Sequence, residues 1–171
     1  MAIVRTTWTD GSTVVNNARL QAIYQAIDDE VRASAYNSAV QSINNTTWTA
    51  LTFNSEDYDT GSMHSTSSNT SRITVPSSHA GLYVMTGTVA FDSNATGFRA
   101  VSFYKNGAIL YTPAQTQPIT GSLTVVNVTA WAVLAVADYI ELFAYQSSGG
   151  ALNTGSATSA TANRLQVTKV R

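Results

Sequence analysis

The chain has no cysteine, which excludes disulfides, thiolate nucleophiles and every cysteine-containing metal site. Stability must come from packing or assembly. Charge is scarce too: Lys plus Arg number 9, Asp plus Glu 10, charged residues make up 11% of 171, and the formal net charge is -1. Only two of the cations are lysine, Lys105 and Lys169. No basic footprint exists for the phosphate contacts that dominate nucleic-acid affinity, so nucleic acid is excluded as a partner. Long apolar runs are missing as well. The longest, Ala130 to Ala137, stops at Asp138, far short of a bilayer span, so no membrane insertion is expected. The first residues, Met1 to Trp8, lack the apolar stretch of a secretory signal. A chain of this kind working outside a cell is expected to leave by lysis, inside a particle.

In place of charge the sequence carries 24 Thr, 19 Ser and 12 Asn, so hydroxyls and amides make the surface polar. A hydrophobic share of 44% is enough for a packed core. From Ser12 to about Ala35 apolar residues recur at three and four, after the Asp10-Gly11 turn, which predicts one helix. Leu20, Tyr24, Ile27 and Val31 form a seam of barely two heptads. So short a seam either packs on its own domain or docks on a partner or on copies of itself.

Past Ala35 the period changes to two, and runs of Val, Thr, Tyr and Phe alternate with Gly, Asn, Asp, Ser and Pro clusters. Strands are predicted near residues 38–43, 48–54, 71–75, 81–91, 98–105, 109–112, 122–134, 139–146 and 164–170. The fold class is mainly β, a sandwich or jelly roll preceded by one short N-terminal α-helix. The domain reading is 1–36 as an attachment segment and 37–171 as the jelly roll, with Ser147 to Ala162 a surface loop. Strand 139–146 is apolar on both faces: Ile140, Leu142 and Ala144 on one, Tyr139, Phe143 and Tyr145 on the other. In strand 122–134, Trp131 and Val133 likewise point away from the aliphatic face. A loop or the helix can supply the second cover. Burial against identical subunits is the favoured reading, with Trp131, Val133, Tyr139, Phe143 and Tyr145 as candidate trimer-interface residues.

Ile73-Thr-Val-Pro76 followed by Ala80-Gly81-Leu82-Tyr83 resembles the opening of the central strand in complement C1q and tumour necrosis factor-like globular domains. Phe91, the stretch Arg99 to Phe103, the turn Lys105-Asn106-Gly107, and Leu134 before Asp138-Tyr139-Ile140-Glu141-Leu142 continue it in order. Gln41 to Ile43, Thr47-Trp48, Leu51 to Phe53 and Asp57 to Gly61 are similar to the start of phage homologues of that domain. Ala137 stands where the family prefers Gly, and Asn163 to Val170 replaces its closing Phe-Gly strand. The resemblance implies a ten-strand jelly roll assembled as a tight homotrimer. Thr6 to Ser12 and the helix after it resemble the leader of tailed-phage structural proteins. That makes Trp8, Asp10, Gly11, Leu20, Tyr24, Ile27 and Val31 candidate virion-docking residues.

Chemistry is sparse. His64 and His79 sit in Ser-rich turns, read as solvent-exposed loop residues, and no nucleophile elbow, Ser-x-x-Lys or phosphate loop occurs. Glu56, Asp57 and Asp59 beside Gly61 offer oxygen ligands for Ca²⁺ or form a plain polar turn. No cofactor and no catalysis are expected. The functional expectation is a homotrimeric virion protein docked on other virion proteins by its N-terminal segment. It contacts a host surface glycan or protein through loops such as 60–71, 115–121 and 147–162. The alternative is a capsid or collar decoration protein without a receptor.

Overall fold

The structure, a computed structural model, describes residues 18–21, 23, 30–155 and 162–170. Two compact units divide the chain, Met1–Glu30 and Val31–Arg171. In the first, residues 18–21 and 23 are helical, with Leu20 and Ile23 exposed. Trp8, Asp10, Gly11, Tyr24 and Ile27 lie outside the described residues.

The second unit is a β-sandwich of thirteen strands among the described residues: β1 (Arg32–Tyr36), β2 (Gln41–Ile43), β3 (Thr49–Ala50), β4 (Ser55–Asp59), β5 (Arg72–Thr74), β6 (Gly81–Phe91), β7 (Arg99–Lys105), β8 (Ala108–Ile109), β9 (Ala114–Thr116), β10 (Thr124–Leu134), β11 (Tyr139–Gln146), β12 (Leu152–Thr154) and β13 (Arg164–Lys169). One sheet runs β2-β12-β6-β13-β1-β4, with β10 also paired to β6; the other runs β3-β11-β7-β8, with β5 on β11 and β9 on β7. All recorded pairings are antiparallel. The chain enters at the end where Arg32 faces Thr168, Thr168 faces Val84, and Val84 faces Trp131.

The core lies between the sheets. Tyr83, Met85, Phe91, Leu165 and Val167 from the first meet Val101, Phe103, Ile140, Leu142 and Ala144 from the second. Alternate positions of each strand supply them, as the pleat requires. At Gly87 the sheets come so close that an added Cβ would sit 2.5 Å from Leu142 Cδ1. The Asn106-Gly107 turn joins β7 to β8 with both residues at positive φ, 51° and 80°, the backbone of a type I′ hairpin. Ala137, in the β10–β11 turn, also has a positive φ of 68°.

Four expectations from sequence need correction. Residues 32–36 are strand β1, not the tail of a helix, because Ala33 and Ala35 face the core with alternating period while β13 and β4 flank them. The boundary between units therefore falls between Glu30 and Val31 rather than between Tyr36 and Asn37. Val31, placed on the docking seam, is 4% exposed in the jelly-roll core and packs against Gly61. Within the stretch read as loop 147–162, β12 forms a strand, with Leu152 and Thr154 buried and Thr154 donating to Gln41 O.

Candidate interaction surfaces

The candidate interface residues separate onto two outward faces pointing away from each other. Trp131 and Val133 lie on the outer face of β10, 54% and 74% exposed. Val84 stands opposite Trp131, Leu82 opposite Val133, and Val170 continues the strip through its amide bond to Leu82 O. This apolar end has no cover among the described residues. Farther along the same face polar side chains interlock. Thr86 Oγ1 donates to Gln166 Oε1 (2.9 Å), Thr88 Oγ1 to Asn127 Oδ1 (2.8 Å), and Ser34 Oγ to Asp57 Oδ2 (2.6 Å), while Arg164 ion-pairs with Asp57 and lies over the Tyr36 ring at 5.2 Å.

Tyr139, Phe143 and Tyr145 lie on the outer face of the other sheet, where rings cover rings. Tyr104 stacks on Phe143 at 3.9 Å, Phe98 on Tyr145 at 5.3 Å, Trp48 tilts against Tyr145 at 5.3 Å, and Arg72 sits 4.7 Å over Tyr139. Each of these rings is half-buried within one chain, and burial pushes the Tyr104 hydroxyl pKa up. A closed three-fold ring needs contact patches converging on an axis, so two opposed faces do not form one such interface. The sequence showed side-chain parity but not that β10 and β11 belong to different sheets.

Between β8 and β9, both paired to β7, the chain bows away and leaves a cavity of about 340 Å³ lined by Ser102, Phe103, Tyr111, Thr112 and Val128 to Trp131. Tyr111 closes part of its mouth by donating to Trp131 O at 2.6 Å.

The carboxylates of Glu56, Asp57 and Asp59 turn to different partners. Glu56 meets His64 Nδ1 at 2.8 Å. Asp57 is the extra residue of a β-bulge opposite Ser34/Ala35 and turns to Ser34 and Arg164. Asp59 accepts the amides of Gly61, Met63 and His64. The His64 side chain is fully buried rather than exposed, edge-on to Phe53 at 6.3 Å, and His79 is half-buried with its carbonyl accepting Tyr83 Oη. At the β10–β11 turn Asp138 pairs with Lys105 Nζ (2.7 Å) and accepts from Asn106 Nδ2 (2.7 Å). Those two partners, Lys105 first, hold its carboxyl down at about 2. Arg99 is fully buried, and burial lowers its guanidinium pKa.

No family model and no curated protein matches the sequence. Solved structures do. Murine APRIL superposes with a TM-score of 0.59 at 13% identity, covering 82% of this chain and 99% of that one. The globular domain of zebrafish complement 1qA protein gives 0.55 at 11%, over 82% and 98%. Eiger TNF from S. frugiperda gives 0.55 at 9%, over 83% and 92%. The chain folds as a C1q/TNF-like jelly roll. At these identities the likeness is one of fold. In this C1q/TNF-like jelly roll the predicted loops do not gather at one end. Thr60 opens the 60–71 loop beside Arg32, where the chain enters, whereas residues 117–123 and 147–151 lie at the far end.

Proposed function

We propose that the chain is a non-enzymatic virion protein, a homotrimeric appendage docked by its N-terminal segment and touching the host surface with its jelly roll. The observation that carries the trimer is the apolar strip Leu82, Val84, Trp131, Val133 and Val170 on one outer face, with Leu82 and Val84 half-buried and Trp131, Val133 and Val170 exposed. Exposed apolar patches on folded domains mark partner surfaces. The C1q/TNF-like fold of the neighbours supports the same assembly. The virion assignment draws on the leader Thr6 to Ser12, on the resemblance of residues 41–61 to phage homologues, and on the hydroxyl-rich, charge-poor composition. Phage-particle docking falls to residues 1–30, including Trp8, Asp10, Gly11, Leu20, Tyr24 and Ile27; Val31 drops out because the core holds it.

Labelled antibody against the jelly roll, imaged on intact particles, tests the role. Label at the tail extremity is expected. Label spread over the capsid lattice would favour the decoration reading, and particles without label would overturn both.

A further inference from the structure

The loops at the far end of the sandwich, 37–40, 44–48, 92–98, 117–123 and 147–151, carry one charged side chain among the described residues, Asp92, besides the Arg99 guanidinium beneath them. The rest is hydroxyl, amide, glycine and apolar. These loops are also fixed from below by fully buried polar side chains. Arg99 Nη1 donates to Thr96 O (3.0 Å) and Phe98 O (3.1 Å), and Nη2 to Asn94 O (2.9 Å). Gln146 Nε2 donates to Ile43 O (3.0 Å) and Gly150 O (2.7 Å), and its Oε1 accepts Ser148 N (2.6 Å).

Two loops then lock to each other. Ser147 N donates to Phe98 O, Phe98 N to Ser147 Oγ, and Gly97 runs so close that an added Cβ would lie 1.9 Å from Ser147 O. Asn45 Oδ1 accepts Gly149 N. Burying a guanidinium without a carboxylate is expensive, and an apolar residue would fill the same space. Its effect here is to set the carbonyls of one loop. Loops held in a single shape lose little entropy on binding.

On one flank of this end stand Phe98, Tyr145 and Trp48, half-exposed rings with successive centroids 5.3 Å apart. The outer face they belong to bears Arg72 and Glu141, opposite in sign and in register across the ladder, each already engaged, Arg72 over the Tyr139 ring and Glu141 accepting Ser71 Oγ. We propose that this end of the jelly roll binds a neutral oligosaccharide. The aromatic flank takes the apolar C–H face of a pyranose, and the neighbouring hydroxyls and amides of loops 44–48, 92–98 and 147–151 take its hydroxyls. The inference rests on the reading of the jelly roll as a recognition head and names the partner class. Weak single sites gain through multiple display.

The full-length protein is tested on an immobilised array of neutral, sialylated and phosphorylated oligosaccharides. In parallel it is tested as a competitor of particle adsorption to host cells. Binding confined to neutral glycans is expected, weakened at least about tenfold by Trp48→Ala and by Thr96→Asp with sedimentation unchanged. Thr96 is exposed, so its variant keeps the test sound if Trp48→Ala perturbs the fold. A blank array, preference for the charged arms, or binding indifferent to both variants overturns the glycan site. Retention on periodate-oxidised host envelopes also overturns it, in favour of a protein partner. A blank array with competition intact removes the glycan and leaves the head reading standing. Glycan binding without competition does the reverse.

Discussion

Ala137 is the residue where sequence and backbone meet most plainly. It occupies the position before Asp138 where the domains that the sequence resembles prefer glycine, and its φ is 68°, a left-handed conformation that costs an L-residue about 1–2 kcal/mol. Ala137→Gly is expected to stabilise the fold by about 0.5–1 kcal/mol after the added chain entropy, read as a rise in the urea midpoint. An unchanged or lower midpoint would contradict the turn geometry. Next to it, Asp138 with its carboxyl near 2 ties the β10–β11 turn to the β7–β8 hairpin through Lys105 and Asn106. Because the folded pKa is depressed, the contribution is complete above the unfolded value of about 4 and disappears as pH falls through about 2. Between those limits stability should drop by about 1–2 kcal/mol, and Asp138→Asn should flatten that part of the profile. The histidines show where reading by neighbourhood stops. Serines around His64 suggested exposure, yet its ring is buried because Phe53, Glu56 and the Thr70 carbonyl, remote in sequence or across a loop, close over it.

Strands that alternate strongly, β6, β10, β11 and β13, were legible in the sequence because one face of each is packed on the core, and β7, buried over Arg99 to Phe103, was legible from its Val and Phe content and the turn after it. β1, β4, β9 and β12 were not. Arg32–Tyr36 buries only alanines and a serine, β12 carries one bulky residue, and both are strands through pairing with distant partners. The seam Leu20, Tyr24, Ile27, Val31 has helical spacing up to a residue that the core claims. This changes what truncation should do. Residues 31–171 are expected to give a folded β-sheet circular dichroism spectrum with a cooperative thermal transition, whereas 37–171, lacking β1 between β13 and β4, should aggregate. Equal behaviour of the two fragments would refute the place of β1. Between the sheets, Gly87→Ala should destabilise by about 1–3 kcal/mol, since its methyl has to displace Leu142. Thermal unfolding of that variant reads the effect.

For the whole molecule, side-chain alternation correctly exposed strands with two apolar faces but merged surfaces that the topology separates. The aromatic face of β11 is covered from within by Trp48, Tyr104 and Phe98, and the aliphatic end of the β10 face is not. The proposed assembly is therefore assigned to the Trp131 and Val133 side, and the central claim is that this side holds three chains together. Val133 is 74% exposed in the single chain, so Val133→Asp leaves the folded subunit unstrained and strands a carboxylate only if a neighbour covers it. The deciding measurement is sedimentation equilibrium of the full chain and of this variant at micromolar concentration. The account predicts three times the 18.2 kDa chain mass for the first and a folded monomer for the second; a monomeric parent, or a variant that remains trimeric, would contradict it.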